Sequence, residues 1–321
     1  MAIVANTFTT YSAVGIREEL SNVIYNISPE ETPFISNIGK EKTGNTFFEW
    51  QTDALAAAST SNAVVEGDDI SSFTAVTPTD RLGNYCQISR KDVIISGTEE
   101  IANKAGRKSE MSYQLAKKGA ELKRDMEAIL LYNQAANAGN SSTARKTAGL
   151  PAFLRTNTNY YTTDGGDPTV SSGVVNAART DGTQRSFTEV ILKDVVAQCW
   201  TEGANPKLLM VGPVNKQRAS GFTGIAETRV QAKSSPTTII GAADVYVSDF
   251  GNLSIVPNRF QREREAFVID PEYAALVQYR PIQQEALAKT GDAEKRMLIV
   301  EYGLKVKTEK AHGIAADLTT T

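Results

Sequence analysis

The sequence predicts an α+β fold organised around one long helix. Three observations carry that prediction. Residues 98–139 hold the only long helical pattern, with Met111, Leu115, Leu122, Met126 and Ile129 recurring at spacings of 4, 7, 4 and 3 on one helical face. Two strand-like stretches, residues 43–53 and 82–95, bracket a small, polar stretch without an apolar face. Near the end, PIQQEALA and RMLIVEYGLKVKTE flank the polar turn KTGDAEK and read as a long hairpin.

Taken in order, residues 1–40 begin as a polar arm. Ile16, Leu20, Val23 and Ile24 then predict a short amphipathic helix ending near Ser28-Pro29. ETPFISNIG reads as an extended segment whose Phe34, Ile35 and Ile38 need burial. The strands at 43–53 and 82–95 are expected to pair, so the stretch between them projects as a long loop. That loop carries Glu66, Asp68, Asp69 and Asp80, and no Lys or Arg before Arg81. An acidic finger with no core of its own is best explained by docking onto another surface. The long helix should start as a short piece at Thr98, break at Gly106, restart at Ser109 and stop near Asn137 and Gly139. Its main part would run about 30 residues, or roughly 45 Å. Lys117, Lys118, Glu121, Arg124, Asp125 and Glu127 fall largely off the apolar face.

Residues 140–185 are dense in Gly, Ser, Thr, Asn and Asp and read as surface loops. Hairpin turns are expected at Asp164-Gly165-Gly166 and Asp181-Gly182, and Leu150, Phe153 and Leu154 should enter a core. From Ser186 the pattern becomes compact α/β. Ser186 and Glu189 form a capping-box pattern before a helix with Phe187, Val190, Ile191, Val195, Cys199 and Trp200, ending at Gly203. A buried strand at 207–212, a helix-like VNKQRAS, a hairpin at 244–258 and a strand at 265–270 follow. Asp270-Pro271 opens a predicted helix, PEYAALVQ. The tail KAHGIAADLTTT reads as short and partly mobile.

Several function classes lose support here. A formal charge of −3 argues against nucleic-acid binding driven by net positive charge. Cys86 and Cys199 make no disulfide framework, which points to a reducing compartment. No apolar run approaches the ~18 residues of a membrane span, and the N-terminus lacks a signal-peptide pattern. His312 is the one histidine, and no nucleophile elbow, C-x-x-C, Walker or dinucleotide motif occurs. Glu66-Gly67-Asp68-Asp69 offers oxygen ligands but lacks calcium-loop spacing, so it reads as a solvated turn or as a partner for basic residues of another chain. The expectation is a non-enzyme with no cofactor, no metal site and no membrane partner.

The segments ETPFISNIG, FFEWQTDAL, EGDD, NYCQISRKDVIISGT, ELKRDMEAILL and KTGDAEKRMLIVEYGL, in that order, resemble a branch of tailed-phage major capsid proteins with the Hong Kong 97-type fold. The resemblance spans most of the chain. It implies an N-terminal arm (1–40), an extended loop over a neighbouring subunit (41–97) and a peripheral domain with the spine helix and a loop insertion (98–185). An axial domain (186–280) and the closing hairpin and tail of the peripheral domain (281–321) complete it. The implied function is self-assembly into pentamers and hexamers of an icosahedral head around double-stranded DNA, without sequence-specific DNA binding. The alternative is an encapsulin-like nanocompartment shell. Implied partners are further copies of the chain, a separate scaffolding protein, a portal and a cement protein. A virion protein assembled in the host bacterial cytoplasm is expected. ETPFISN begins about 30 residues in, so the long scaffolding segment of some members is expected to be absent. No Lys lies between Thr43 and Asp80, so a Lys–Asn crosslink through the loop tip is not expected. Glu66, Asp68 and Asp69 are expected to meet Lys117, Lys118, Lys123 or Arg124 on a neighbour's helix.

Overall fold

The computed structural model describes residues 31–70, 73, 75–102, 108–222 and 244–321. The helix expected around Ile16 and the break expected at Gly106 lie outside these residues. The first described element is α1 (Pro33–Asn37), a short helix where the sequence predicts an extended segment. Proline suits its first turn. The Glu127 carboxylate accepts the N–H groups of Phe34 and Ile35 at 2.7 and 2.9 Å, satisfying donors that a helix start leaves free. This long-range cap is invisible in the local sequence. Phe34 is fully buried, as its apolarity requires.

β1 (Gly39–Lys42) and β2 (Phe47–Thr52) follow. β2 pairs antiparallel with β3 (Asp80–Tyr85), Phe47 opposite Tyr85 and Thr52 opposite Asp80. The stretch read as one strand, 82–95, divides at buried Cys86, and β4 (Gln87–Ser96) joins a different sheet. Asn84 holds the crossing point. Its buried side chain donates to Thr147 Oγ1 and Leu304 O and accepts from Ala148 N.

α2 (Gly97–Ile101) is capped by Ser96, and α3 (Glu110–Leu130) by Ser109. α3 has 21 residues, about 31 Å, and is shorter than the sequence predicts. Beyond buried Leu131, the N–H of Ala136 goes to Val175 O and the Gln134 amide goes to Thr147 O. These tertiary bonds override the helix propensity of the alanine-rich run. Asn137 and Gly139 instead belong to a bridged turn, with Asn137 opposite Lys146 and Gly139 at φ +70°. Leu150, Phe153 and Leu154 are buried as predicted. After β5 (Thr158–Asn159), β6 (Thr169–Ser171) and β7 (Val174–Ala177) form a hairpin that turns at Ser172-Gly173. The two Asp-Gly turns that the sequence favours wrap Asp317 instead. Its carboxylate accepts from Tyr161 N, Gly182 N and Arg264.

α4 (Glu189–Thr201) starts after Thr188, with no side-chain cap. The Ser186/Glu189 capping box does not form, because Glu189 accepts from the Tyr246 hydroxyl and pairs with Lys193. Gly203, at φ +88°, ends the helix region as predicted. β8 (Leu208–Val211), α5 (Pro213–Ser220), β9 (Val245–Ser248), β10 (Gly251–Pro257) and β11 (Ala266–Ile269) match the order read from the sequence. PEYAALVQ does not continue as a helix. Only Pro271–Tyr273 makes a 3-10 turn, and β12 (Ala274–Ala286) begins at once. Ala274–Val277 are wholly buried between β1 and β13 (Ala293–Val306), where a strand satisfies the backbone on both sides. The tail is also not mobile. β14 (Gly313–Ala315) lies buried between β5 and β11.

The described residues form three sheets, in the orders β1-β12-β13-β4, β5-β14-β11-β8-β10-β9 and β2-β3-β7-β6. α3 lays Met111 and Leu115 against Val93 and Ile95 of β4. Leu122, Met126 and Leu130 enter the main core with Leu276, Val300, Tyr302 and Leu304. α4 covers the six-stranded sheet through Leu192, Val195, Val196 and Cys199, while Val190 and Trp200 face solvent.

Candidate functional site

The groups that carry chemistry elsewhere are locked into the core here. His312 is fully buried, its Nδ1 accepts the Asp270 N–H at 3.3 Å, and burial pushes its pKa down to about 4. Burial pushes both thiols, Cys86 and Cys199, up to about 12, which leaves them inert as nucleophiles. Among the described residues, no group of three or more His, Cys, Asp or Glu could hold a metal ion. No helix among them is long and apolar enough to cross a membrane.

The outstanding surface is the segment between β2 and β3. Every described residue from 53 to 79 is exposed. Gly67, at φ +82°, forms the bend, closed by Asp68 N donating to Val65 O at 3.0 Å. Glu66, Asp68 and Asp69 sit at that bend and form no ion pair with a described residue. The acids were readable in the sequence. A second feature was not: Leu55, Val64, Val65, Ile70, Phe73 and Val76 are all at least 71% exposed. Diluted among Ser, Thr and Ala, they make no period that marks a face. An apolar surface of this kind signals an interaction site.

The expected basic partners occupy different positions on α3. Lys118 donates to Glu121 at 2.8 Å within its own helix, and nearby Asp125 pairs with Lys91 of β4 at 2.6 Å. Lys117 and Lys123 are exposed, and neither they nor Arg124 form an ion pair with a described residue. Helical spacing sets Lys117 and Arg124 on one outward line, about 10 Å apart, and Lys123 on another shoulder. Within one chain the structure does not bring these cations to Glu66, Asp68 or Asp69.

The loop leaves a body tied together by buried polar nodes. Glu127, fully buried on α3, accepts from α1 and, at 2.7 Å, from Asn258 just beyond β10. Burial raises its pKa, while the two backbone donors and the Asn258 amide oppose that. One carboxylate thus joins α1, the long helix and the six-stranded module.

Three sheets braced by a long helix, with a coreless loop at 53–79 between β2 and β3, define a capsid-type shell subunit. Solved structures share this fold. A chain of the Cyanophage A-1(L) capsid asymmetric unit matches with a TM-score of 0.65 at 12% identity, covering 97% of this chain and 99% of that one. A Gordonia phage Cozz chain matches with a TM-score of 0.61 at 11% identity, covering 99% and 98%. The family model for the SU10 major capsid protein matches residues 3–319. The major capsid protein of Escherichia phage Phieco32 is 31% identical over 341 aligned positions, covering 96% of each chain. The chain belongs to the SU10 major capsid protein family. It is a phage major capsid protein, a structural component of the virion and not an enzyme, and the encapsulin-like alternative is not favoured.

Proposed function

We propose that copies of this chain close head-to-tail into pentamers and hexamers of an icosahedral head around double-stranded DNA, each laying its 53–79 loop over a neighbour. The loop carries this reading, because its acidic and apolar side chains stay exposed among the described residues of their own chain. Heterologous contacts of this kind close into rings. The sheet with β12 and β13, braced by α3, serves as the peripheral domain. The module of α4 and the six-stranded sheet serves as the axial domain. In this reading the tail joins the axial side, because β14 pairs with β5 and β11 of the six-stranded sheet. Glu66, Asp68 and Asp69 find their counter-charges on the neighbour; Lys117, Lys123 and Arg124 of its α3 are one candidate set, and Lys118 is already held by Glu121. Scaffolding, portal and cement proteins are its partners in that head, which assembles in the host cytoplasm.

Deletion of residues 55–79, closed by a short Gly-Ser link, tests the proposal. The expected outcome is a folded, soluble subunit with a near wild-type melting curve that forms no stable shells by electron microscopy. Normal shells, or an unfolded subunit, would overturn it.

A further inference from the structure

The loop needs more than cations, because it exposes six large apolar side chains. α3 offers Lys117, Lys123 and Arg124 but no exposed large apolar side chain. It can neutralise the loop without drying it. The opposite face of the same sheet differs. Along β4, Val93 and Ile95 turn to α3, while Ile88, Arg90, Asp92 and Ile94 turn away and are exposed. β4 is also an edge strand of its sheet. Ile88 lies opposite Glu301 in the antiparallel register with β13. Glu301 is buried and already held by two cations, Arg145 Nη2 at 2.6 Å and Arg280 Nε at 3.0 Å. A groove of about 320 Å³ opens beside it, between Ile88 and the turn at 138–145. Small residues line it, among them Ala138, Gly139 and Ala144, and Arg145 closes one side. The Arg145 Nε is buried there and has no hydrogen-bond partner among the described residues.

We propose that this groove, with Ile88 as its apolar wall, Arg145 in its lining and Arg90 two residues along the same face of β4, receives the 53–79 loop of a second copy of the chain. The proposal rests on the reading of the loop as an intersubunit arm. It adds where the arm lands. The match has two parts. The loop bears Asp53, Glu66, Asp68 and Asp69 and no cation, whereas Arg145 and Arg280 pair with buried Glu301 beside the groove, and exposed Arg90 lies between Ile88 and Asp92 on the same face of β4. The loop offers Val64, Val65 and Phe73 as apolar inserts, and Ile88 is an exposed apolar wall on a strand face that it shares with Arg90, Asp92 and a second exposed isoleucine, Ile94. Reach is not limiting: about 13 residues out and back at ~3.3 Å each span roughly 40 Å.

Disulfide mapping in assembled shells tests the landing site. Val65→Cys or Phe73→Cys is combined with Ile88→Cys, and in parallel with Lys117→Cys or Arg124→Cys. The native thiols, Cys86 and Cys199, are buried and give little background. The expected result is a ladder of covalent multimers on a non-reducing gel with Ile88→Cys only. A ladder with the α3 positions alone overturns the groove while leaving the intersubunit arm intact. Shells with no ladder in either set overturn both. As a second readout, Ile88→Asp should leave the subunit's melting curve unchanged and raise the concentration needed for assembly ~10-fold or more. Unaltered assembly of Ile88→Asp would also overturn the groove.

Discussion

Two hairpins leave the body of this subunit, and they stand in opposite relations to it. β12–β13 is enclosed by its own chain. β1 and β4 pair with its sides, α3 packs on one face, and Leu276, Val300, Tyr302, Leu304 and Val306 are buried. β2–β3 keeps six paired positions and then runs into 53–79, where every described residue faces solvent. The base of β2–β3 is covered, since β3 pairs with β7 and Phe48 and Trp50 enter the main core, so only the 53–79 extension lacks a covered face. β12–β13 therefore stabilises the subunit, and the 53–79 extension of β2–β3 is left to stabilise the shell. A substitution in the first should be read in folding, and one in the second in assembly.

The sharpest way to break this contrast is Leu304→Ala in β13. Truncating a fully buried leucine should cost about 2–5 kcal/mol, measured by denaturant unfolding of the unassembled subunit. A cost as small as that of a loop substitution would erase the distinction. Next comes Glu127→Leu, which strands two backbone donors and the Asn258 amide. A loss of roughly 3 kcal/mol is expected, with faster proteolysis around α1. Glu127→Gln should cost less, because one amide oxygen still accepts.

A smaller effect is expected with pH, again confined to the body. The folded-state pKa of His312 falls from 6.5 to about 4, so the fold favours the neutral ring. That contribution is intact above pH 6.5 and is lost as pH falls toward 4, at most about 3 kcal/mol. Glu265 acts in the opposite sense. Burial raises its pKa to about 7, so acidification from pH 7 toward 4.5 favours the fold through this group. The wild-type profile thus holds both signs, and comparison with His312→Gln isolates the histidine. That variant should lose less stability than wild type between pH 6.5 and 4. The smallest folding effect belongs to the loop. Val65→Ser with Phe73→Ser should move subunit stability by less than ~0.5 kcal/mol, while light scattering shows assembly impaired.

The errors of the sequence reading share one cause. Ala274–Val277 look helical after Asp270-Pro271, yet they form a buried strand because β1 and β13 supply backbone partners far away in sequence. The tail looks mobile until β14 finds β5 and β11. Pro33–Asn37 looks extended until Glu127, 93 residues beyond Phe34, caps it. In each case a long-range hydrogen bond outweighs local preference. The candidate site divides in the same way. Its acids and cations could be read residue by residue, because charge does not depend on neighbours. The groove at Ile88 could not, because its walls come from β4 and from a turn about 50 residues later.

What the sequence determined by itself was the local and the ordered. The apolar stripe of α3, the pairing of strands around an acidic loop, the closing hairpin and the order of motifs all follow from side-chain periodicity and turn chemistry. Tertiary structure alone decided where strands change sheets, where α3 ends and which apolar residues stay uncovered. Those outcomes depend on which distant backbone donors and apolar faces meet, and no window of the sequence holds that information.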